Sequence, residues 1–196
     1  MAQEEEIIEA KKIAYEVLVK ELKWELRADN PSGLHVKNLP QGKMLCDDYD
    51  QVATWLGVFD QNTLVGCLRV CSRFQGKFEL ERYHELLDFI KQDPLAIEGN
   101  RLAVRKDYRQ STAVLMLFRI LYKDLLSNKG GYCFGTGFFP NPGKLYVNKF
   151  GMKKHEIPFR YHPEDSQEVY LYYINGYDRS KLREMISKFE TLLKER

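Results

Sequence analysis

The densest run of groups able to do chemistry lies at residues 98–113, EGNRLAVRKDYRQSTA. A strand carrying Arg101, Leu102, Ala103 and Val104 runs into a basic turn with Arg105, Lys106 and Arg109, and then opens the longest apolar helix. Gly99 inside the strand predicts a bulge or a close approach by another backbone. A bulged strand leaves main-chain N–H groups unpaired, and such groups can hold a developing oxyanion. A helix N-terminus offers partial positive charge to a phosphate, and the three cations of the turn add full charge. On the residues alone, a capped amphipathic helix after a core strand remains the alternative. A second set of ionisable groups stands upstream, Asp47 and Asp50 in LCDDYD and Arg69 in VGCLRV. An arginine in the middle of a strand requires a charge partner. Asp47 and Asp50 read either as that partner or as a solvated loop.

The strand–turn–helix unit resembles the acyl-donor site of the GNAT acyltransferase superfamily. That resemblance makes Leu102, Ala103, Val104, Arg105, Arg109, Gln110, Ser111 and Thr112 the donor-binding residues, with the strand amides on a thioester arm. Most acetyl-CoA users of the superfamily carry a glycine-rich turn here, whereas this turn reads Arg109, Gln110, Ser111, Thr112, Ala113, Val114. Ser111 and Thr112 would crowd a pyrophosphate lying on the backbone. The turn fits a phosphopantetheine arm on acyl carrier protein (ACP), which has one phosphate and no nucleotide, better than coenzyme A. The order and spacing of Trp24, Asp47, Asp50, Arg69, Glu98 and Arg101 are similar to those of the acyl-homoserine-lactone (autoinducer) synthases and the N-acyl amino acid synthases, over roughly residues 14–152. "RLAV…YR" is nearer the second group. Leu45, Ala14 and Leu18 stand where the lactone makers have an acid, an arginine and a phenylalanine. That points to an amino acid or another small amine as acceptor rather than S-adenosylmethionine.

The resemblance implies amide formation, and an amine attacks a thioester only when neutral. Glu98 is then the general base, directly or through a water; the alternative is a structural ion pair with Arg101 or Arg69. Asp47, Asp50, Arg69, Arg101 and Trp24 would shape the amine side and order the N-terminal lobe. In the superfamily pattern the tyrosine that protonates the leaving thiolate falls on Val147. Tyr146 stands one residue early, about 100° around a helix, and is the candidate acid. On the strand at 131–138, Tyr132, Phe134, Thr136 and Phe138 share a face. They read as an acyl pocket, with Leu115, Met116, Phe118 and Ile120 as the facing wall and Phe134 and Thr136 setting chain length; plain core is the alternative. Arg101, Arg105, Lys106 and Arg109, extended by Lys149, Lys153, Lys154 and Arg160, read as a basic face that would steer acidic ACP.

These residues need positioning elements. Periodicity predicts helices at 4–26, 80–91, 111–127, 142–149 and 179–196, a loop at 29–43, and strands at 52–59, 63–73, 96–104, 131–138 and 167–174. The order implies an α/β (α+β) fold with one mixed, mostly antiparallel sheet flanked by helices. The resemblance makes it GNAT-like, with a splayed V between central strands. It reads as a single domain over residues 1–196, with a lobe at 1–50, a core at 51–178 and a last helix. Lys plus Arg number 30 and Asp plus Glu 28, a net charge of +2, which excludes a general nucleic-acid coat. No apolar run nears the ~20 residues that span a bilayer. The start MAQEEEIIEA lacks a signal-peptide core, so a cytoplasmic location is expected. Cys46, Cys67, Cys71 and Cys133 read as free thiols, and the four histidines lack ligand spacing, so no metal is expected. Cys133 has no histidine partner in view, which favours direct attack over an acyl-enzyme. The resulting function is N-acyl transfer from acyl-ACP to a small amine, without a bound cofactor. A short-chain acyl-CoA acetyltransferase and a non-catalytic acyl- or carrier-binding module are the alternatives.

Overall fold

A computed structural model describes residues 4–128 and 130–195. Helix α1 (Glu4–Ala14) opens with Glu4, Glu5 and Glu6 and closes with Lys11 and Lys12, the charge order that complements a helix dipole. It continues as a π-helical turn, Tyr15–Glu21. The chain leaves it at Lys23, whose φ is 59°. The predicted helix therefore stops short of residue 26, and Trp24 lies just past its end.

Strands β1 (His35–Leu39) and β2 (Gly42–Cys46) form an antiparallel hairpin where a loop is predicted at 29–43. β1 is largely exposed, so it carries no alternation of apolar and polar residues to read. The hairpin β3 (Ala53–Asp60) and β4 (Thr63–Cys71) matches the prediction. The predicted helix at 80–91 is instead a 3₁₀ turn at Leu80–Arg82 and a single turn, α2 (Asp88–Lys91). Its apolar residues Leu80, Leu86 and Ile90 are buried individually, and the Leu80 amide is tied to the Glu98 carboxylate at 3.2 Å. Tertiary anchors there outweigh helical periodicity.

The remaining elements are β5 (Ile97–Val104), α3 (Ala113–Ser127), β6 (Tyr132–Gly137), α4 (Gly143–Asn148), β7 (Lys153–Lys154), β8 (Tyr170–Asn175) and α5 (Arg179–Lys194). The main sheet has the order β3-β4-β5-β6-β8-β7. Every neighbouring pair is antiparallel except β5 and β6, which are parallel.

The two sheet faces bury different layers. Helices α3, α4 and α5 cover Val104, Cys133, Tyr172 and Ile174. Leu117, Leu121 and Leu125 recur at helical spacing on α3 and are fully buried, each contributing about 1.5–3 kcal/mol. On the other face α1 packs over Trp55, Leu64, Cys67 and Ala103, and Phe78, Leu80, Ile90 and Phe159 pack over Ala96, Phe134 and Leu171. β6 alternates between these layers, Cys133 to the first and Phe134 to the second. That alternation corrects the expected acyl-pocket wall. Leu115, Met116, Phe118 and Ile120 belong to the α3 layer, across the sheet from Phe134. The residues that face Phe134 are Phe78, at 4.9 Å edge to face, and its neighbours. Among the described residues, no helix is long and apolar enough to cross a membrane.

Candidate active site at the fork of the parallel strands

The parallel ladder between β5 and β6 runs over Ile97–Cys133 and Glu98–Phe134 and stops there. Both strands continue, β5 to Val104 and β6 to Gly137. Beyond Glu98, β5 has no ladder partner on its β6 side among the described residues. Two glycines meet where the strands part. A Cβ on Gly135 would lie 2.4 Å from the Gly99 carbonyl oxygen, so only glycine permits this approach.

On its other edge β5 bulges. Ala103 pairs with Cys67 and Asn100 with Arg69, so Arg101 and Leu102 together face the single residue Leu68. Arg101 holds the bulge at φ 53°, a left-handed conformation unusual for a side chain of this size. The ion pairs of its guanidinium offset that strain. Its Nη2 donates to Asp47 Oδ2 at 2.7 Å and to Glu79 Oε1 at 2.5 Å. The guanidinium carbon also sits 5.6 Å from the centre of the Trp24 ring.

Arg69 on β4 is 1% exposed. Its Nη1 donates to Asp47 Oδ1 at 2.7 Å and Asp50 Oδ1 at 3.3 Å, its Nη2 to Glu79 Oε2 at 2.7 Å, and its Nε to Asn100 Oδ1 at 2.7 Å. Lys11 of α1 closes on Asp50 Oδ2 at 2.8 Å. Asp47 caps the 3₁₀ turn Asp48–Val52, and Asp50 returns the bond to the Asp47 amide. Burial pushes the Asp47 carboxyl up, but Arg101 and Arg69 outweigh it and hold the group below its ordinary range. Lys11, Arg69 and Arg101 are thus matched by Asp47, Asp50 and Glu79.

Glu98 is the acid left over. It is 3% exposed and makes no ion pair with Arg69 or Arg101. Among the described residues it accepts the Leu80 amide, at 3.2 Å, and the Asn100 Nδ2, at 3.4 Å, and no other donor. Burial and the nearby Glu79 push its carboxyl up to about 8. The structural ion pair expected as the alternative role for Glu98 is absent. A carboxyl held near neutrality beside a chain fork has the properties of a general base.

The donor turn follows β5. Arg105 Nε donates to the Leu64 carbonyl at 2.8 Å and Arg109 Nε to the Val104 carbonyl at 3.3 Å. Arg109 also pairs with Glu21 at the end of the π-helical turn. Ser111 Oγ accepts the Ala113 amide at 3.1 Å and donates to the Tyr108 carbonyl at 2.6 Å. Ser111 rather than Thr112 therefore ties down the start of α3. Arg105 and Arg109 are half-exposed. Arg101 is buried and neutralised, so it does not belong to the expected basic face. Lys154 is also withdrawn, over the Tyr170 ring at 4.4 Å and against Glu156 at 3.0 Å.

On α4, Tyr146 turns inward and Val147 faces solvent. The Tyr146 ring lies against Gly137 and 5.1 Å from the Tyr172 ring. Burial pushes its hydroxyl up. Thr136 Oγ1 lies 2.8 Å from the Tyr161 hydroxyl on the Phe134 face, and Tyr132 and Phe138 line the same layer. All four cysteines are free and buried. Burial pushes the Cys133 thiol up to about 12, which favours the protonated, less nucleophilic form near neutral pH.

Residues 15–119, more than half of the sequence, match the acetyltransferase (GNAT) domain family. The chain belongs to the GNAT family. A search of curated protein sequences gave no match. Among solved structures, the fold resembles BjaI, a CoA-dependent acyl-homoserine lactone synthase solved with SAM and isopentyl-CoA. That match has 17% identity and a TM-score of 0.70, covering 95% of this chain and 83% of that one. It also resembles FeeM, an N-acyl amino acid synthase from uncultured soil microbes, at 13% identity and TM-score 0.59 over 91% and 95% of the two chains. LasI, an acyl-homoserine lactone synthase, matches at 14% identity and TM-score 0.58, over 89% and 85%. The forked sheet is accordingly that of a GNAT-fold acyltransferase.

Of the residues expected to act together, Asp47, Asp50, Arg69, Arg101 and Trp24 do meet, and Glu98 lies beside them. Glu79 and Asn100 were missed. Glu79 sits in a stretch that reads as an amphipathic helix, FELERYHELL, where an acid looks like part of a solvated face. One signal was available: two arginines bound for the interior need more buried acid than a capping turn supplies.

Proposed function

We propose that the chain transfers a fatty acyl group from acyl-ACP to the amine of a small acceptor such as an amino acid, as a single catalytic unit of the cytoplasm. One observation carries this reading: Glu98, a buried carboxyl without an ion pair among the described residues, stands where β5 and β6 separate. The thioester carbonyl would lie along β5 past the fork, with its oxygen on the free amides of the bulged segment. Glu98 takes a proton from the acceptor ammonium. The neutral nitrogen attacks the thioester carbon, the C–N bond forms, and the oxyanion collapses with loss of the pantetheine sulfur. The proton released from nitrogen balances the departing thiolate, and Tyr146 is the side chain offered for that delivery. The balanced cluster of Arg69, Arg101, Asp47, Asp50 and Glu79 holds the bulge in place. The Phe134 layer is the apolar bed for the acyl chain, and the half-exposed Arg105 and Arg109 receive the donor phosphate.

The glycine-free turn at Arg109–Val114 supports a carrier-bound donor. A second reading, acyl-CoA as donor, is favoured by BjaI and MesI, both described as CoA-dependent synthases, among the similar folds. The test offers the same acyl chain on ACP and on coenzyme A, with a panel of amines, and detects amide by mass spectrometry. Amide from acyl-ACP is expected. Turnover with acyl-CoA alone would overturn the donor assignment, and binding without turnover of either would favour a non-catalytic carrier-binding module.

A further inference from the structure

Glu79 precedes the 3₁₀ turn Leu80–Arg82 and has no part in the donor or acceptor roles above. Glu79 is 5% exposed, and its carboxylate takes three bonds from two strands, β4 and β5. Oε1 accepts from Arg101, and Oε2 accepts from Arg69 at 2.7 Å and from Asn100 Nδ2 at 2.9 Å. The same Asn100 Nδ2 lies 3.4 Å from Glu98 Oε1. One amide is therefore shared between Glu79 and Glu98. The next residue, Leu80, gives its main-chain N–H to the other oxygen of Glu98. Glu79 thus reaches Glu98 through the shared amide, through its own peptide link to Leu80, and through its field.

We infer that Glu79 is a positioning residue that sets how readily Glu98 takes and gives up a proton, with Asn100 acting in the opposite sense. The inference rests on the reading of Glu98 as general base. Glu79 brings negative charge beside a carboxyl that must ionise, which favours the protonated form of Glu98. The Asn100 amide donates to the ionised form and favours it. The other groups that feel Glu98 are accounted for. Arg69 on β4 and Arg101 on β5 are cations already engaged by Asp47 and Glu79. Cys71 on β4, Cys133 on β6, Tyr49 beside Asp50 and Tyr161 after β7 are all held neutral by burial. Glu79 is thus the charged neighbour whose removal changes the balance at Glu98 in one direction.

The experiment is the pH dependence of kcat/KM for acyl transfer in the wild type and in the Glu79→Gln, Glu79→Asp, Asn100→Ala and Glu98→Gln variants, with folding checked by circular dichroism. Glu79→Gln is expected to move the rising limb, where Glu98 loses its proton, to lower pH by about one unit, the scale of a neighbouring like charge. Asn100→Ala should move it to higher pH, and Glu79→Asp, which keeps the charge, should leave it near the wild-type position. Should Glu79→Gln fail to fold, the direction of the Asn100→Ala shift decides. A limb that survives in Glu98→Gln contradicts the base reading itself. A limb lost in Glu98→Gln but unmoved in the folded Glu79 and Asn100 variants overturns this inference alone.

Discussion

Glu98 works as a base only after it has lost its proton, so transfer should gain rate as pH rises through about 8. Glu98→Gln is expected to lower turnover by roughly 10²–10⁴ and flatten that limb; steady-state rates across pH check both. The same proton affects stability in the opposite sense. The folded chain keeps the Glu98 proton up to about 8, whereas an unfolded chain releases it near the ordinary 4.5. Between those values the folded state binds more protons, so stability falls as pH rises. Glu98→Gln removes that loss, and urea denaturation should find the less active variant gaining stability over wild type across this window. Asp47 has the other sign: its lowered proton affinity lends stability above the ordinary aspartate range, lost as pH falls through its folded value. Arg69→Met leaves Asp47 and Glu79 buried without their shared cation and should cost about 3–5 kcal/mol in the same assay. Glu98 and Arg69 were legible because an acid and an arginine stand inside apolar strands. Glu79 was not, because its burial comes from an irregular segment without periodicity.

At the scale of elements, the fork depends on backbone contact at one point. Gly135→Ala puts a methyl against the Gly99 carbonyl. The strands must then shift at the end of their ladder, a strain of about 1–3 kcal/mol, and a lowered thermal midpoint with weakened donor binding is the expected outcome. The turn before α3 joins donor binding to the N-terminal segment, because Arg109 is held by Glu21. Arg109→Ala should raise the KM for the donor with little change in kcat. Strands β3, β4, β5, β6 and β8 and the helices α3 and α5 could be read from sequence because long apolar runs or stripes set them, whereas the two-residue β7 could not. The exposed β1–β2 hairpin could not, nor could the broken segment at 80–91, where single buried leucines and a carboxylate contact replace helical hydrogen bonds. The pocket wall was misplaced for a related reason. Periodicity tells which residues of α3 are buried, but not which sheet face receives them.

Across the whole molecule, apolar layers on both faces leave the fork between β5 and β6 as the place where unpaired strand backbone meets an ionisable cluster. Charge is nearly balanced overall, so any attraction for an acidic carrier rests on local cations, Arg105, Lys106 and Arg109 of the turn with the exposed Lys149, Lys153 and Arg160 of the expected face. If ACP delivers the acyl group, kcat/KM should fall steeply with added salt while kcat changes little. The most direct test of the account is an amide chemical-shift titration with a non-hydrolysable acyl-pantetheine thioether. Leu102, Ala103 and Val104, with the residues around Phe134, are expected to shift together and saturate. Saturable binding that leaves those amides in place and perturbs the surface of α1 and the β1–β2 hairpin would contradict it.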